Sequence, residues 1–234
     1  MHGVGLTANI HTRDLMPHLR PYTALLVLFG FIFPHVSVYP SDLAPMTSSY
    51  GPLLLTVTSK TVVGTFFDGR GEPGVSGVPP FTCIFMLSGR IEGSSAQIVT
   101  WTPGDKALIP GELVLGNGEV SITLRDNQAG CEMAGDDMVS APWTGSFVKS
   151  NPSWIGVDMV AADRAILRPI PTNSTRQGRY LIRFDPVVIL ERQMEWVKVG
   201  YLAGERTMKG WLRRSELMPV DHPPGSRISS GRAH

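Results

Sequence analysis

A hairpin signature near the middle of the chain constrains the fold more than any other feature. Residues 111–124, GELVLGNGEVSITL, contain two strand-like runs joined by Asn117-Gly118. An Asn-Gly pair between such runs is the strongest short-range signal for a tight antiparallel turn. In the second run the apolar residues occupy alternate positions, with Ser121 and Thr123 between them. One apolar face and one polar face indicate an antiparallel sheet with a single buried side.

Strand-like runs separated by glycine-rich breaks recur throughout residues 50–150, and a second turn is expected at Glu92-Gly93. The 25 Gly and 19 Pro of the 234-residue chain favour strands punctuated by turns over helices. We therefore expect an all-β protein. Residues 50–150 should form an antiparallel meander of about six to eight strands, curled into a barrel or a sandwich.

The first 44 residues are typical of a leader with a signal peptide. Arg13 and Arg20 precede an apolar run, YTALLVLFGFIF, and a polar exit follows it. The run is about a dozen residues, shorter than the roughly 20 that span a bilayer, so we expect no stable membrane insertion after signal removal. The alternative is a buried core element. Met16 is the more plausible initiator than Met1, and the sequence does not fix the cleavage position.

Cys83 and Cys131 are the only cysteines, 48 positions apart. An even pair in an exported chain predicts a disulfide, which persists in the periplasm or outside the cell. Two buried free thiols are the alternative. The predicted bond would staple an early strand of the meander to the segment that follows a late one.

The sequence argues against several functional classes. With 21 basic and 20 acidic residues the chain has no global field that would attract nucleic acid. All six histidines lie within the leader or the polar tail, residues 221–234, which we predict to be disordered. Nucleophilic hydrolysis then lacks its usual base. Asp136 and Asp137 are adjacent, and on a strand they would point to opposite faces. We predict no enzyme, no metal and no cofactor.

Three segments of residues 154–220 together form a recognisable pattern: DRAILRPIPT, RFDPVVILERQMEWVKVGY and KGWLRRSEL. They resemble the bacterial Src-homology-3-like domain family, in which EWVKV followed after a short loop by GWL recurs. The resemblance implies a small C-terminal barrel and, because such modules attach to cell-wall enzymes, contact with peptidoglycan. The preceding domain is similar to uncharacterised exported β domains that carry a disulfide.

A candidate binding face follows from strand alternation in EWVKVGY and KGWLRR. If the two runs pair with their valines and leucine inward, one outer surface carries Trp196, Lys198, Trp211 and Arg213. Indoles supply flat apolar area and cations hold carboxylates, which suits an acidic peptide or glycan. The alternative is that the tryptophans only cover the core and the cations keep the barrel soluble.

These observations predict an exported bacterial cell-envelope protein, periplasmic or secreted, that binds peptidoglycan or an envelope protein partner without catalysis. One alternative is an inhibitor or immunity protein against a wall-degrading enzyme, since small disulfide-bonded β domains suit protein blocking. An accessory of a cell-wall enzyme is a third interpretation.

Overall fold

The computed structural model describes residues 46–71, 80–134, 136–173, 178–221 and 223–225. The predicted leader, residues 1–44, lies outside the described residues, and so does most of the predicted tail. Among the described residues no helix is long and apolar enough to cross a membrane.

The first body of the protein is a single antiparallel sheet in which β1 to β7 each pair with the next strand along the chain, and β9 pairs with β1. Its sheet order is β8-β7-β6-β5-β4-β3-β2-β1-β9. The strands are β1 Met46–Tyr50, β2 Leu53–Val57, β3 Thr61–Arg70, β4 Phe81–Glu92, β5 Ser95–Trp101, β6 Ile109–Leu115, β7 Glu119–Leu124, β8 Trp143–Ser146 and β9 Lys149–Ser150. The predicted meander is confirmed, and β6 pairs with β7 across the Asn-Gly turn.

This sheet is strongly curled, and residues 143–150 supply both of its edge strands, β8 and β9. β8 pairs with β7, while β9, three residues further on, pairs with β1. Close strand approach contributes to the curvature: a Cβ added at Gly89 would lie 2.5 Å from the Gln97 carbonyl oxygen, and one at Gly111 2.6 Å from that of Thr123. The result is a barrel-like meander.

An apolar core fills the concave side of the sheet. Phe66 and Phe85 stack with ring centroids 4.8 Å apart, and Trp143 packs edge-on against Phe66 at 4.9 Å. The predicted disulfide between Cys83 of β4 and Cys131 is confirmed and lies in this core. Cys131 begins the short helix α1, Cys131–Ala134, which packs on β4.

The C-terminal body is a second antiparallel arrangement. Its main sheet has the order β15-β14-β13-β10-β16, and β11 pairs with β12 beside it. The strands are β10 Gly156–Val160, β11 Arg164–Ile166, β12 Tyr180–Ile182, β13 Pro186–Arg192, β14 Trp196–Ala203, β15 Arg206–Arg213 and β16 Leu217–Pro219, with a 3₁₀ turn at Arg214–Glu216 before β16. The all-β prediction is confirmed for the described residues.

A separate apolar cluster joins the two bodies. It combines the convex side of β2 to β5 with one face of β10 and β13. Trp101 and Trp154 lie in it at 3% and 5% exposure. Lys149 adds a polar contact by donating a hydrogen bond to the Gly204 carbonyl at the tip of the β14–β15 hairpin, 3.0 Å away. The convex side of the first sheet therefore supports the second.

Candidate functional site

The four predicted face residues are brought together by the pairing of β14 with β15. Trp196 lies opposite Arg213, and Lys198 lies opposite Trp211. The valines of β14 and the leucine of β15 turn inward, as predicted, and are fully buried: Val197, Val199 and Leu212. The register thus places an indole across from a cation twice on one side of the hairpin.

Each cation on this face lies over an indole. The Arg213 guanidinium carbon is 5.3 Å from the Trp196 ring centroid, and the Lys198 ammonium is 5.7 Å from that of Trp211. The two indoles differ in exposure, since Trp196 is half-buried but Trp211 is only 6% exposed. The expectation of two accessible indoles is therefore wrong for Trp211. Backbone hydrogen bonds join Trp211 to Arg168 in both directions, which ties β15 to the segment that contains Arg168.

Arg168, which the sequence analysis did not single out, is the second cation at Trp196. Its guanidinium carbon is also 5.3 Å from the Trp196 centroid. The side chain is only 10% exposed, and its Nη1 donates to Glu216 Oε2 at 3.1 Å and to the Ile166 carbonyl at 3.0 Å. Glu216 Oε2 also accepts from the Arg213 backbone amide at 2.7 Å. This buried network positions the guanidinium beside the indole.

A groove of about 400 Å³ lies next to this pair of strands. It is lined by Met194, Glu195, Arg213, Arg214 and Ser215. Met194 is 89% exposed, which is unusual for a large apolar side chain and places apolar surface at the rim. We call the groove together with Trp196, Lys198 and Arg168 the basic–aromatic face.

The two bodies of the chain carry opposite charge, which the whole-chain balance hides. Residues 46–150 contain six basic and ten acidic side chains, whereas residues 154–221 contain eleven basic and eight acidic ones. The basic excess thus lies in the body that carries the basic–aromatic face. Counting charge for each predicted domain separately would have revealed this asymmetry, since a near-zero sum says nothing about local fields.

Carboxylates elsewhere occupy two buried positions. The sequence analysis treated Asp136 as a strand residue, but it follows the helix α1. It is 6% exposed. Burial, followed by the neighbouring charge of Asp68, raises the pKa of Asp136 to about 6. Burial likewise raises the pKa of Asp158 to about 6, against the opposing effect of Arg192.

Groups suited to hold a metal are absent from the part of the chain that the structure describes: no three His, Cys, Asp or Glu side chains converge there. Comparison with known proteins gives no family: no family model, no curated protein and no solved structure matches this chain. The resemblance to Src-homology-3-like domains therefore stays a prediction from residues 154–220, and the geometry alone must carry a functional proposal.

Proposed function

We propose that this chain is an exported cell-envelope protein that binds peptidoglycan through its basic–aromatic face, with no catalytic step of its own. The observation that carries the proposal is the position of Trp196. Two guanidinium carbons, those of Arg168 and Arg213, lie 5.3 Å from its ring centroid, beside a groove that Arg213 and Arg214 line.

The chemistry of this face matches a polymer that combines sugars, short apolar side chains and carboxylates. A half-buried indole offers a flat apolar surface without much loss of side-chain entropy on binding. Guanidinium groups hold carboxylates through two parallel hydrogen bonds. Arg168 is already fixed by Glu216 and by the Ile166 carbonyl, so its contribution is to hold the indole in place, while Arg213 and Arg214 face the ligand.

Export is supported by the Cys83–Cys131 disulfide, because such bonds persist outside the reducing cytoplasm. The signal-like leader and the similarity of residues 154–220 to wall-associated modules favour the same compartment. Cell fractionation combined with N-terminal mass spectrometry tests export. Recovery of the chain in the cytoplasm with both thiols open to labelling would contradict it.

Binding is tested by co-sedimentation of the full chain with insoluble peptidoglycan. One portion of the peptidoglycan is left native, and in the other the free carboxyl groups are converted to amides. We expect retention on the native material that weakens with added salt, since exposed charges are screened, and a clear loss on the amidated material.

Two outcomes would overturn the proposal. If the full chain failed to sediment with native peptidoglycan, peptidoglycan would not be its ligand. If native and amidated material retained the chain equally, the cations would not bind the carboxylates of the polymer. A chain reduced with thiol beforehand serves as a check that the first body must be intact for the assay to be meaningful.

A further inference from the structure

A second cleft, of about 330 Å³, opens at one end of the C-terminal core. It is lined by Asp158, Arg192, Arg214, Leu217, Pro219 and Asp221. Asp158 lies on β10, Arg192 ends β13, Arg214 begins the 3₁₀ turn and Leu217 begins β16. Strands β13 and β16 flank β10 on its two sides, so the sheet itself gathers these residues around Asp158.

The carboxylate of Asp158 is the unusual feature of this cleft. The residue is 2% exposed, and its Oδ2 accepts from Arg192 Nη1 at 3.0 Å. Arg192 reaches Asp158 by passing over Gly156, where an added Cβ would be 3.8 Å from its Nη2. A charge removed from water in this way interacts strongly with any group placed beside it, because the local dielectric is low.

The two signs of charge are balanced in this cleft. Two guanidinium groups face two carboxylates, those of Asp158 and Asp221. A simple anion would meet both carboxylates, and a simple cation would meet both guanidinium groups, so each is disfavoured by like charge. A ligand that carries an ammonium and a carboxylate satisfies both sets. Leu217 and Pro219 supply apolar wall for a short side chain.

Arg214 is suited to receive the ligand's carboxylate. Its side chain is exposed, and its Nη2 donates to the Gln193 carbonyl at 2.9 Å, which holds the guanidinium at the cleft. Arg192, in contrast, is engaged with the buried carboxylate. The ammonium is then directed to the side of Asp158 and Asp221.

We propose that this cleft binds a small zwitterion of the amino-acid class, a free amino acid or a dipeptide, with its carboxylate on Arg214 and its ammonium between Asp158 and Asp221. The volume is at the lower end of ligand pockets, roughly 300–1,000 Å³, which suits a ligand of this size. The site is distinct from the groove beside Trp196, although Arg214 borders both, and it does not depend on capture of a polymer.

Titration calorimetry on the full chain tests the proposal with three compounds: alanyl-alanine, its N-acetyl form and its C-terminal amide. The parent dipeptide should bind saturably with a Kd of about 1 mM or tighter. Each capped form should bind at least about tenfold more weakly, because it lacks one of the two charges. Absence of saturable binding, or equal binding of the capped forms, would overturn the proposal.

Matched variants locate the site. Arg214→Gln and Asp221→Asn should each weaken dipeptide binding by about tenfold or more. Arg183→Gln and Asp163→Asn make the same chemical changes in an exposed ion pair away from the cleft and should bind as the parent does. Unchanged binding by both cleft variants would contradict the assignment. Because no polymer is used, failure here leaves the proposed peptidoglycan binding intact, and the reverse also holds.

Discussion

Asp136 lies against Asp68, and the proximity of the two carboxyl groups is the second largest cause of the raised pKa of Asp136, after burial. Asp68 is on β3, directly opposite Cys83 on β4, and Asp136 follows the helix that Cys131 begins. The disulfide thus draws the two acidic groups together at one end of the first sheet. Arg70 offsets part of their repulsion.

This pair makes stability depend on pH. The pKa of Asp136 rises from its ordinary value of 3.8 to about 6, so the folded state binds the proton more tightly than the unfolded chain does. The associated stability is fully present below about pH 4 and is lost as pH rises through about 6. Asp158 acts in the same direction. We therefore expect Tm, measured by circular dichroism, to rise between about pH 7.5 and about pH 5.

Asp136→Asn should raise Tm at about pH 7.5 and flatten part of this dependence, because the amide is neutral and can donate to Asp68. Asp137→Asn is the matched control, since the neighbouring carboxyl is exposed and hydrogen bonds from Ser140 and Val139 lower its pKa. The Tm of this control should change with pH as that of the parent does, and it should not be higher at about pH 7.5. If the Tm of Asp136→Asn changed with pH as steeply as that of the parent, the Asp136–Asp68 pair would not control the pH dependence.

Removal of the disulfide should destabilise the first body. Cys83 and Cys131 close a loop of 48 positions, for which the chain-entropy model gives about 4 kcal/mol. For a chain of this size the double variant Cys83→Ala/Cys131→Ala should lower Tm by about 10 °C. Intact mass and thiol labelling of the parent, with and without reductant, verify the bond. Unchanged Tm on its loss would contradict a stabilising role.

The shared apolar cluster predicts that the two bodies unfold together. Trp101 and Trp154, two of the five tryptophans, lie within it, so intrinsic fluorescence responds to its loss, while far-UV circular dichroism reports both sheets. The two midpoints in denaturant should coincide. Met159→Ala, at a fully buried position of the cluster, should shift that single transition by about 2–5 kcal/mol. Two separated transitions would show that the bodies are independent.

Local signals predicted much of the fold. The Asn117-Gly118 turn fixed the register of β6 against β7, and strict alternation identified which faces are buried. The disulfide was predicted because the chain has only two cysteines and a leader typical of export. What alternation could not supply was the use of the convex side of the first sheet, where Leu54, Ile84 and Met86 are buried against the second sheet. A strand buried on both faces loses its polar alternation and reads as a plain apolar run.

The site was predicted less completely than the fold. Strand periodicity placed Trp196, Lys198 and Arg213 on one side of the hairpin. It could not show that Trp211 is buried, because that burial arises only in the folded protein, where the backbone at Arg168, more than forty positions earlier, pairs with Trp211. Long-range neighbours of this kind leave no periodic trace in the sequence. The pairing of Asp136 with Asp68 was missed for the same reason.

The basic–aromatic face has a protein-side test that separates binding from stability. Lys198→Ala/Arg213→Ala removes two cations from the face. Their stacking and the 2.6 Å hydrogen bond from Arg213 to Asn173 are at the surface, so the loss of stability should be small, about 1 kcal/mol or about 3 °C in Tm. Lys60→Ala/Arg90→Ala removes the same two charge types from exposed positions of the first body and is the matched control.

Co-sedimentation isotherms of these full-length variants with native peptidoglycan test whether the basic–aromatic face binds this polymer. We expect Lys198→Ala/Arg213→Ala to lose affinity by about tenfold or more, while Lys60→Ala/Arg90→Ala binds as the parent does. Equal capture of the parent and Lys198→Ala/Arg213→Ala, with both proteins folded, would contradict a binding role for this face.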